Sequence, residues 1–271
     1  MLVMLAPSFD GSSDAYARLG RATGMLAYDL KSRLKAGVWG VVRALADQEQ
    51  AQELLQRLLA EGLPALIVPP DVAHDPNRRI VTIRALELRG DHLMLHLRER
   101  EMPIPFGALT CVVRGEVHIG QMPNRTVTPS SATFRAVTPS PGDVQVFRES
   151  LSSSNFNSYA AADLHFATVL WVARLDARSF DFSGLGLASE SVASDLDQLV
   201  DVLAERANIR VDRGVRTSSV VSTLQGGSFR AGGVPSHAPR SKESPVDERF
   251  DPYSRVIGEA ERLLAQARKV A

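Results

Sequence analysis

Three short apolar runs near the start of the chain alternate with helical patterns and so restrict the fold. The runs occupy residues 1–7, 38–42 and 65–68. Between the first two runs, a helical pattern breaks at Gly24 and then resumes, and between the last two a long amphipathic segment spans residues 47–62. Short apolar runs bounded by turn residues are typical of strands, whereas apolar spacings of three and four are typical of helices. The pattern predicts strand, helix, helix, strand, helix, strand.

The third of these helices has the clearest boundaries and the clearest apolar face. Its apolar residues form one stripe of a helix: Ala51, Leu54, Leu55, Leu58 and Leu59. Asp47 stands where an N-cap is expected, and Gly62 stands where the helix needs a residue that tolerates positive φ. Three short strands with helices on one face would bury this stripe. We therefore predict an α+β fold for residues 1–72.

This segment resembles the C-terminal domain of the bacterial ribosomal stalk protein and the related adaptor of the Clp protease. The residues that carry the resemblance are Arg21-Ala22-Thr23-Gly24, Asp29-Leu30, Leu34 and the segment 47–62. Such domains bind other proteins and catalyse nothing, and the stalk family uses basic residues around the Thr-Gly turn to contact translation GTPases. Two of those basic positions are Ala17 and Gly20 here, while Lys31 retains a third. The resemblance implies a partner-binding surface at Tyr16, Arg21, Met25, Asp29 and Lys31.

The composition indicates a cytoplasmic protein without affinity for nucleic acid or membrane. Lys plus Arg equals Asp plus Glu at 31 each, so no net field attracts polyanions. The single cysteine, Cys111, excludes an intrachain disulfide, and its apolar neighbours predict a buried thiol. The first residues lack the basic region of a signal peptide, and no apolar run is long enough to span a membrane.

Residues 78–222 predict a second, β-rich α+β domain, for which the sequence suggests no family. Residues 89–92 form a predicted hairpin turn, and two prolines mark residues 102–106 as an edge strand. A Pro-, Ser- and Thr-rich excursion is expected at residues 121–143. One main helix is expected from Val192 to Ala204, with either Ser189 or Ser194 as its cap and Ser189 favoured because Glu190 follows it.

The end of the chain predicts a disordered linker followed by a helix. Residues 223–250 contain too few apolar side chains to offset the entropy of ordering. Residues 251–271 regain a helical apolar period, which includes the predicted contact residues Ile257, Leu263 and Leu264. We expect Glu259 and Glu261 to face water together with the two flanking arginines, and the helix to dock on its own core or on a partner.

Three groups of residues resemble catalytic or metal sites but have simpler explanations. His92 and His96 are separated by about 13 Å if they lie on a strand, too far for one metal ion. Asp163 and His165 could form a hydrolase triad with a serine between residues 150 and 154, but no nucleophile-elbow motif is present. The glycine turn at 183–187 lacks the remaining residues of a nucleotide loop. We therefore predict no catalytic residue, metal or cofactor.

Two functions remain open at the level of sequence. The first is a non-enzymatic cytoplasmic adaptor or regulatory protein that acts through protein–protein contacts, with an unidentified partner and an unspecified oligomeric state. The second is a small-molecule-binding or enzymatic β-rich domain, with its site near His118, His165 and the 183–187 turn. This alternative depends on polar groups that flank apolar strands, as they do in many pockets.

Overall fold

A computed structural model describes residues 1–119, 157–186, 191–225 and 249–270 of the chain. The predicted linker at 223–250 and the excursion at 121–143 fall almost wholly outside the described residues. The first unit comprises β1 (Leu2–Leu5), α1 (Ser13–Thr23), α2 (Ala27–Arg33), β2 (Gly40–Ala44), α3 (Gln48–Ala60) and β3 (Ala65–Val68). The three strands form an antiparallel sheet in the order β2-β1-β3. The predicted element order is confirmed.

Local signals define the helix ends in this unit. The Asp47 carboxylate accepts a hydrogen bond from the Glu49 amide, as expected for an N-cap, and Gly62 follows α3 with a φ of 69°. The stripe on α3 is narrower than predicted, because Leu59 is 47% exposed and only Ala51, Leu54 and Leu58 are buried. Leu59 lies at the margin of the stripe, where neither the sheet nor α1 covers it.

The remaining strands form two sheets, and the chain is α+β as predicted. Their bounds are β4 (Ile80–Ile83), β5 (Ala85–Arg89), β6 (His92–His96), β7 (Glu101–Pro105), β8 (Leu109–Ile119), β9 (Asn157–Phe166), β10 (Val172–Asp176) and β11 (Arg210–Asp212). The larger sheet has the order β11-β8-β9-β10-β4, and the smaller sheet is the meander β5-β6-β7. Arg89 pairs with His92 across the predicted hairpin turn, and the proline-containing β7 is an edge strand.

Three more helices complete the fold: α4 (Val192–Ala207), which precedes β11, and α5 (Ser219–Gln225) and α6 (Phe250–Val270), which follow it. Helix α4 packs on one face of the larger sheet through Leu196, Leu199, Val200 and Leu203. Its N-cap is Ser191, whose hydroxyl accepts from the Ser194 amide, so the expectation of Ser189 was wrong. Ser189 and Ser191 are both serines with an acidic residue nearby, and local sequence does not locate a helix end to better than about two residues.

Helix α6 lies between the β2-β1-β3 sheet and the larger sheet. Alternate residues of β1 divide between two cores: Val3 and Leu5 face α1 and α3, whereas Leu2 and Met4 face α6. On the opposite side of α6, Cys111 and Val113 of β8 join the same core. Cys111 is fully buried, as predicted, and burial raises the pKa of its thiol well above the ordinary value. The C-terminal helix therefore docks on its own chain.

Candidate functional site

The surface around the α1–α2 turn contains four of the eight predicted partner-binding residues, whereas Tyr16 is buried beneath it. Only 6% of Tyr16 is exposed, and its hydroxyl donates to the Leu34 carbonyl at 2.6 Å. Its ring meets Phe9 edge-on, and the Lys31 ammonium lies 5.5 Å from the ring centroid. Tyr16 thus fixes the position of α2 on α1, and Lys31 packs over it from the solvent side.

The apolar residues exposed at this turn are Leu26 and Tyr28, at 73% and 82%. Gly24 ends α1 with a φ of 70°, after which Leu26 is the extended N-cap residue of α2. Leu26, Leu30 and Leu34 have the spacing of one helical face, yet Leu26 precedes the helix and so points away from that face. The sequence prediction did not include Leu26 or Tyr28. The four-residue spacing of Leu26, Leu30 and Leu34 would place Leu26 on the same helical face as the buried Leu30.

Charged residues surround this exposed pair and are mostly basic. Asp29 is exposed, and so are Lys31, Arg33 and Lys35 along and just beyond α2. Arg21 is also exposed and pairs with Glu61 at 2.8 Å, whereas Met25 is half-buried beside the turn. The segment thus combines two large exposed apolar side chains with more basic than acidic groups. Here we call Leu26, Tyr28, Lys31, Arg33 and Lys35 the α2 surface.

The predicted contact residues of the C-terminal helix face the interior of the chain. Ile257 is fully buried in the core between the two sheets, and Leu263 and Leu264 are partly buried against the same core. Glu259 and Glu261, which we expected to face water, are also buried. The reason is that α6 is covered on two opposite sides, so its polar positions meet protein as well.

A buried serine, histidine and aspartate cluster joins α6 to β9. Ser254 of α6 lies 2.6 Å from the Asp163 carboxylate and 2.9 Å from Nε2 of His165. Nε and Nη2 of Arg174 also donate to the two carboxylate oxygens of Asp163, at 2.7 and 2.8 Å. The predicted aspartate and histidine therefore do meet a serine, although it is Ser254 and not one of residues 150–154, which lie outside the described residues.

The proton positions in this cluster differ from those of a hydrolase triad. The single hydroxyl proton of Ser254 must go to the Asp163 carboxylate, so the imidazole of His165 donates from Nε2 to Ser254. A triad instead places the histidine between the other two, as the base for the serine. Burial lowers the pKa of His165 from 6.5 to about 4, which keeps the ring neutral. Ser254 and Asp163 have no exposed surface, so no substrate reaches them.

Other polar residues of α6 are paired in the same way with the surrounding elements. The Asp251 carboxylate lies 2.8 Å from Arg174, and the Tyr253 hydroxyl donates to Asp212 at 2.6 Å. Glu259 contacts Arg78 at 2.6 Å, and Glu261 accepts from the indole of Trp39 at 2.9 Å. Buried polar groups without partners are strongly destabilising, so these pairs favour one position of α6 over others.

The three features of the predicted ligand site are far apart. His165 lies on the α6 side of β9 and is paired with Cys111, whereas His118 lies seven residues further along β8, roughly 23 Å away. The turn Ser183–Leu185 contacts β5 on the opposite side of the larger sheet. These groups do not form a common pocket.

His92 and His96 both lie on β6, as predicted, but they have carboxylate neighbours. His92 contacts Asp91, and His96 contacts Glu87 and Glu101 on the two adjacent strands. In the described ranges, no three His, Cys, Asp or Glu side chains form a group suited to a metal ion.

Comparisons with family models, with curated proteins and with solved structures return no match for this chain. In the described part of the chain, no helix is both long and apolar enough to cross a membrane.

Proposed function

We propose that this protein is a non-enzymatic cytoplasmic adaptor or regulatory protein whose α2 surface binds another protein. The observation that supports this function is the exposure of Leu26 and Tyr28, two residues apart at the start of α2, beside Lys31, Arg33 and Lys35. Tyrosine and arginine, represented here by Tyr28 and Arg33, are among the residues enriched at protein interfaces. The inaccessible Ser254, His165 and Asp163 also weaken the alternative of a hydrolase.

The charge of the α2 surface favours an acidic partner segment that carries apolar side chains. Arg33 and Lys35 form no ion pair within the described residues, so a partner carboxylate would not have to displace an internal one. Rim charges of this kind act mainly on association rate and on salt dependence, whereas the apolar pair supplies most of the affinity. The proposed contact therefore separates into two measurable parts.

The test compares partner capture by the full chain and by variants. The full chain is needed because residues 1–75 alone would expose Leu2, Met4 and Val41, which α6 covers. We expect Leu26→Ser combined with Tyr28→Ser to abolish capture of a specific protein from lysate. Leu170→Ser is the matched control, since Leu170 is 53% exposed elsewhere on the surface.

A charge-reversal variant tests the chemistry of the partner. Arg33→Glu with Lys35→Glu is expected to weaken capture and to flatten its dependence on salt. Sedimentation with anionic phospholipid vesicles is measured in parallel. If the double apolar variant captures the same proteins as the wild type, or if the surface binds vesicles and no protein, the proposed function is wrong.

A further inference from the structure

A cleft of about 200 Å³ opens between β8, α4 and the segment that follows β11. The register of the sheet explains its position. Asp212 at the end of β11 pairs with Val113, so residues 213–216 continue beside Arg114 and Glu116. On this side of β8, the apolar core with α4 ends near Val112, and the next side chains on the same face are Arg114 and Glu116. The space is far above the roughly 10–15 Å³ that a single water molecule requires.

Three arginines from two separate parts of the chain line this cleft, together with the carboxylates of Glu116 and Asp197. Arg114 belongs to β8, and Arg213 and Arg216 follow β11. Arg114 is the inner group, because 12% of its side chain is exposed, and its Nε donates to Asp197 at 2.9 Å. Arg213 and Arg216 stand at the rim, with 48% and 74% of their side chains exposed.

The rim arginines retain donors for a ligand. Arg213 contacts Asp201 at 2.9 Å and Arg216 contacts Glu116 at 2.5 Å, each through Nη2 alone within the described residues. A guanidinium carries five N–H donors, so most of the donors of both side chains remain available. Both ion pairs are solvent-exposed, and pairs of this kind contribute little to stability. An anion could therefore replace Glu116 or Asp201 with small loss elsewhere.

We propose that this cleft binds a small oxyanion with at least two negative charges, such as phosphate or the phosphate group of a small metabolite. Guanidinium groups match the tetrahedral oxygens of phosphate through paired N–H donors. Arg114 forms the base of the cleft, where Asp197 and the carbonyls of Gly115 and Ala161 hold its guanidinium in place. The two rim arginines supply the donors that would bind the anion. The cleft uses none of the residues of the α2 surface, so this site is independent of the proposed function.

The experiment titrates inorganic phosphate and pyrophosphate into the full chain by calorimetry, with sodium chloride at matched ionic strength as the reference. We expect saturable binding of pyrophosphate that chloride does not reproduce. Arg213→Gln with Arg216→Gln is expected to raise the Kd by at least about tenfold, as the loss of charged hydrogen bonds implies. Arg21→Gln with Arg89→Gln is the matched control, since both residues are exposed and paired elsewhere.

The outcomes distinguish the proposed site from general attraction to positive charge. Binding that the control variant retains and the rim variant loses supports the site. Absence of saturable binding to the wild type, or equal weakening in both double variants, overturns it. Thermal melting of the rim variant without ligand confirms that it is folded, which we expect because both side chains are solvent-exposed.

Discussion

Helices α6 and α2 both have apolar residues at helical spacing, yet their environments are opposite. From Phe250 to Glu261, α6 is buried except at Arg255, and its serine, acidic and tyrosine side chains have protein partners. In α2 only Leu30 is buried, and Tyr28 is almost fully exposed. Helix α6 contacts a sheet on each of two sides, whereas α2 contacts α1 on one side. The number of covering layers, more than the helix sequence, decides which side chains are buried.

The largest expected effect comes from removal of α6. A chain that ends at Ser241 would expose the apolar faces of both sheets, and each large side chain lost from the core contributes roughly 1.5–3 kcal/mol. Phe250, Tyr253 and Ile257 together therefore approach the whole stability of a typical domain. We expect loss of the cooperative thermal transition in calorimetry.

The control for this truncation is a chain that ends at Ala265. Residues 266–268 of α6 are exposed, so their removal should leave the transition nearly unchanged. If the chain ending at Ser241 melts like the wild type, α6 does not hold the two sheets together and the comparison with α2 fails.

The next largest effect on stability is expected from Gly258→Ala, which adds a single methyl group to α6. A Cβ at Gly258 would lie 2.1 Å from Nδ1 of the His165 ring, which is too close for any conformation without a shift of α6 or β9. Overpacking of this kind costs about 1–3 kcal/mol, although alanine is intrinsically better than glycine in a helix. We expect Gly258→Ala to lower the free energy of unfolding in urea titrations. Gly184→Ala, where no atom of the described residues lies within 4 Å of the new Cβ, should have no comparable effect.

A third effect is a loss of stability in acid that depends on His165. Because the folded-state pKa of His165 lies near 4 and the ordinary value is 6.5, the unfolded chain binds a proton that the folded chain excludes. His165 should therefore contribute a loss of at most about 3 kcal/mol as the pH falls from 6.5 to about 4. Urea titrations across this pH range, on the wild type and on His165→Gln, measure the contribution as a difference.

The wild type must be compared with His165→Gln because other titratable groups change the free energy of unfolding in the opposite direction as the pH falls. Burial raises the pKa values of Asp251 and Glu261, so the folded chain binds their protons more readily and gains stability on acidification. Both proteins share these carboxylates, and their contribution cancels. Parallel pH profiles for the wild type and the variant would contradict the neutral, hydrogen-donating state of His165.

The smallest expected effect on stability is at α2. Leu26→Ser combined with Tyr28→Ser removes apolar surface that is already in water, so the free energy of unfolding should change by less than about 0.5 kcal/mol. The midpoint of urea unfolding measures this change, with Leu30→Ser as the matched buried position on the same helix. A large loss in the exposed double variant would show that α2 is covered by the chain itself and is not a free surface.

Local patterns predicted several elements because their causes lie within a few residues. Asp47 and Gly62 set the ends of α3, the 89–92 turn joins β5 to β6, and the prolines of β7 exclude it from the centre of a sheet. The burial of Cys111 also followed from its immediate apolar neighbours. Each of these features depends on backbone dihedrals or short-range contacts that a sequence window contains.

The candidate sites were less predictable because their parts are distant in the chain. Ser254 meets His165 across 89 residues, and Glu261 meets Trp39 across 222. The sequence placed Glu259 and Glu261 in water because a helical period defines only one apolar face and says nothing about a second layer. The arginines of the cleft likewise meet only through the pairing of β11 with β8.

The sequence by itself therefore determined the kinds and order of the elements in residues 1–72, since capping, turn formation and apolar periodicity are local; it did not predict α5. Tertiary structure alone decided which faces are covered, because burial depends on the layers that pack on an element. That is why the polar residues of α6 are paired in the interior, while Leu26 and Tyr28 remain in solvent. A carboxylate can therefore be buried where its helix is covered on two sides, as in α6, and a leucine can be exposed where its helix is covered on one side, as in α2.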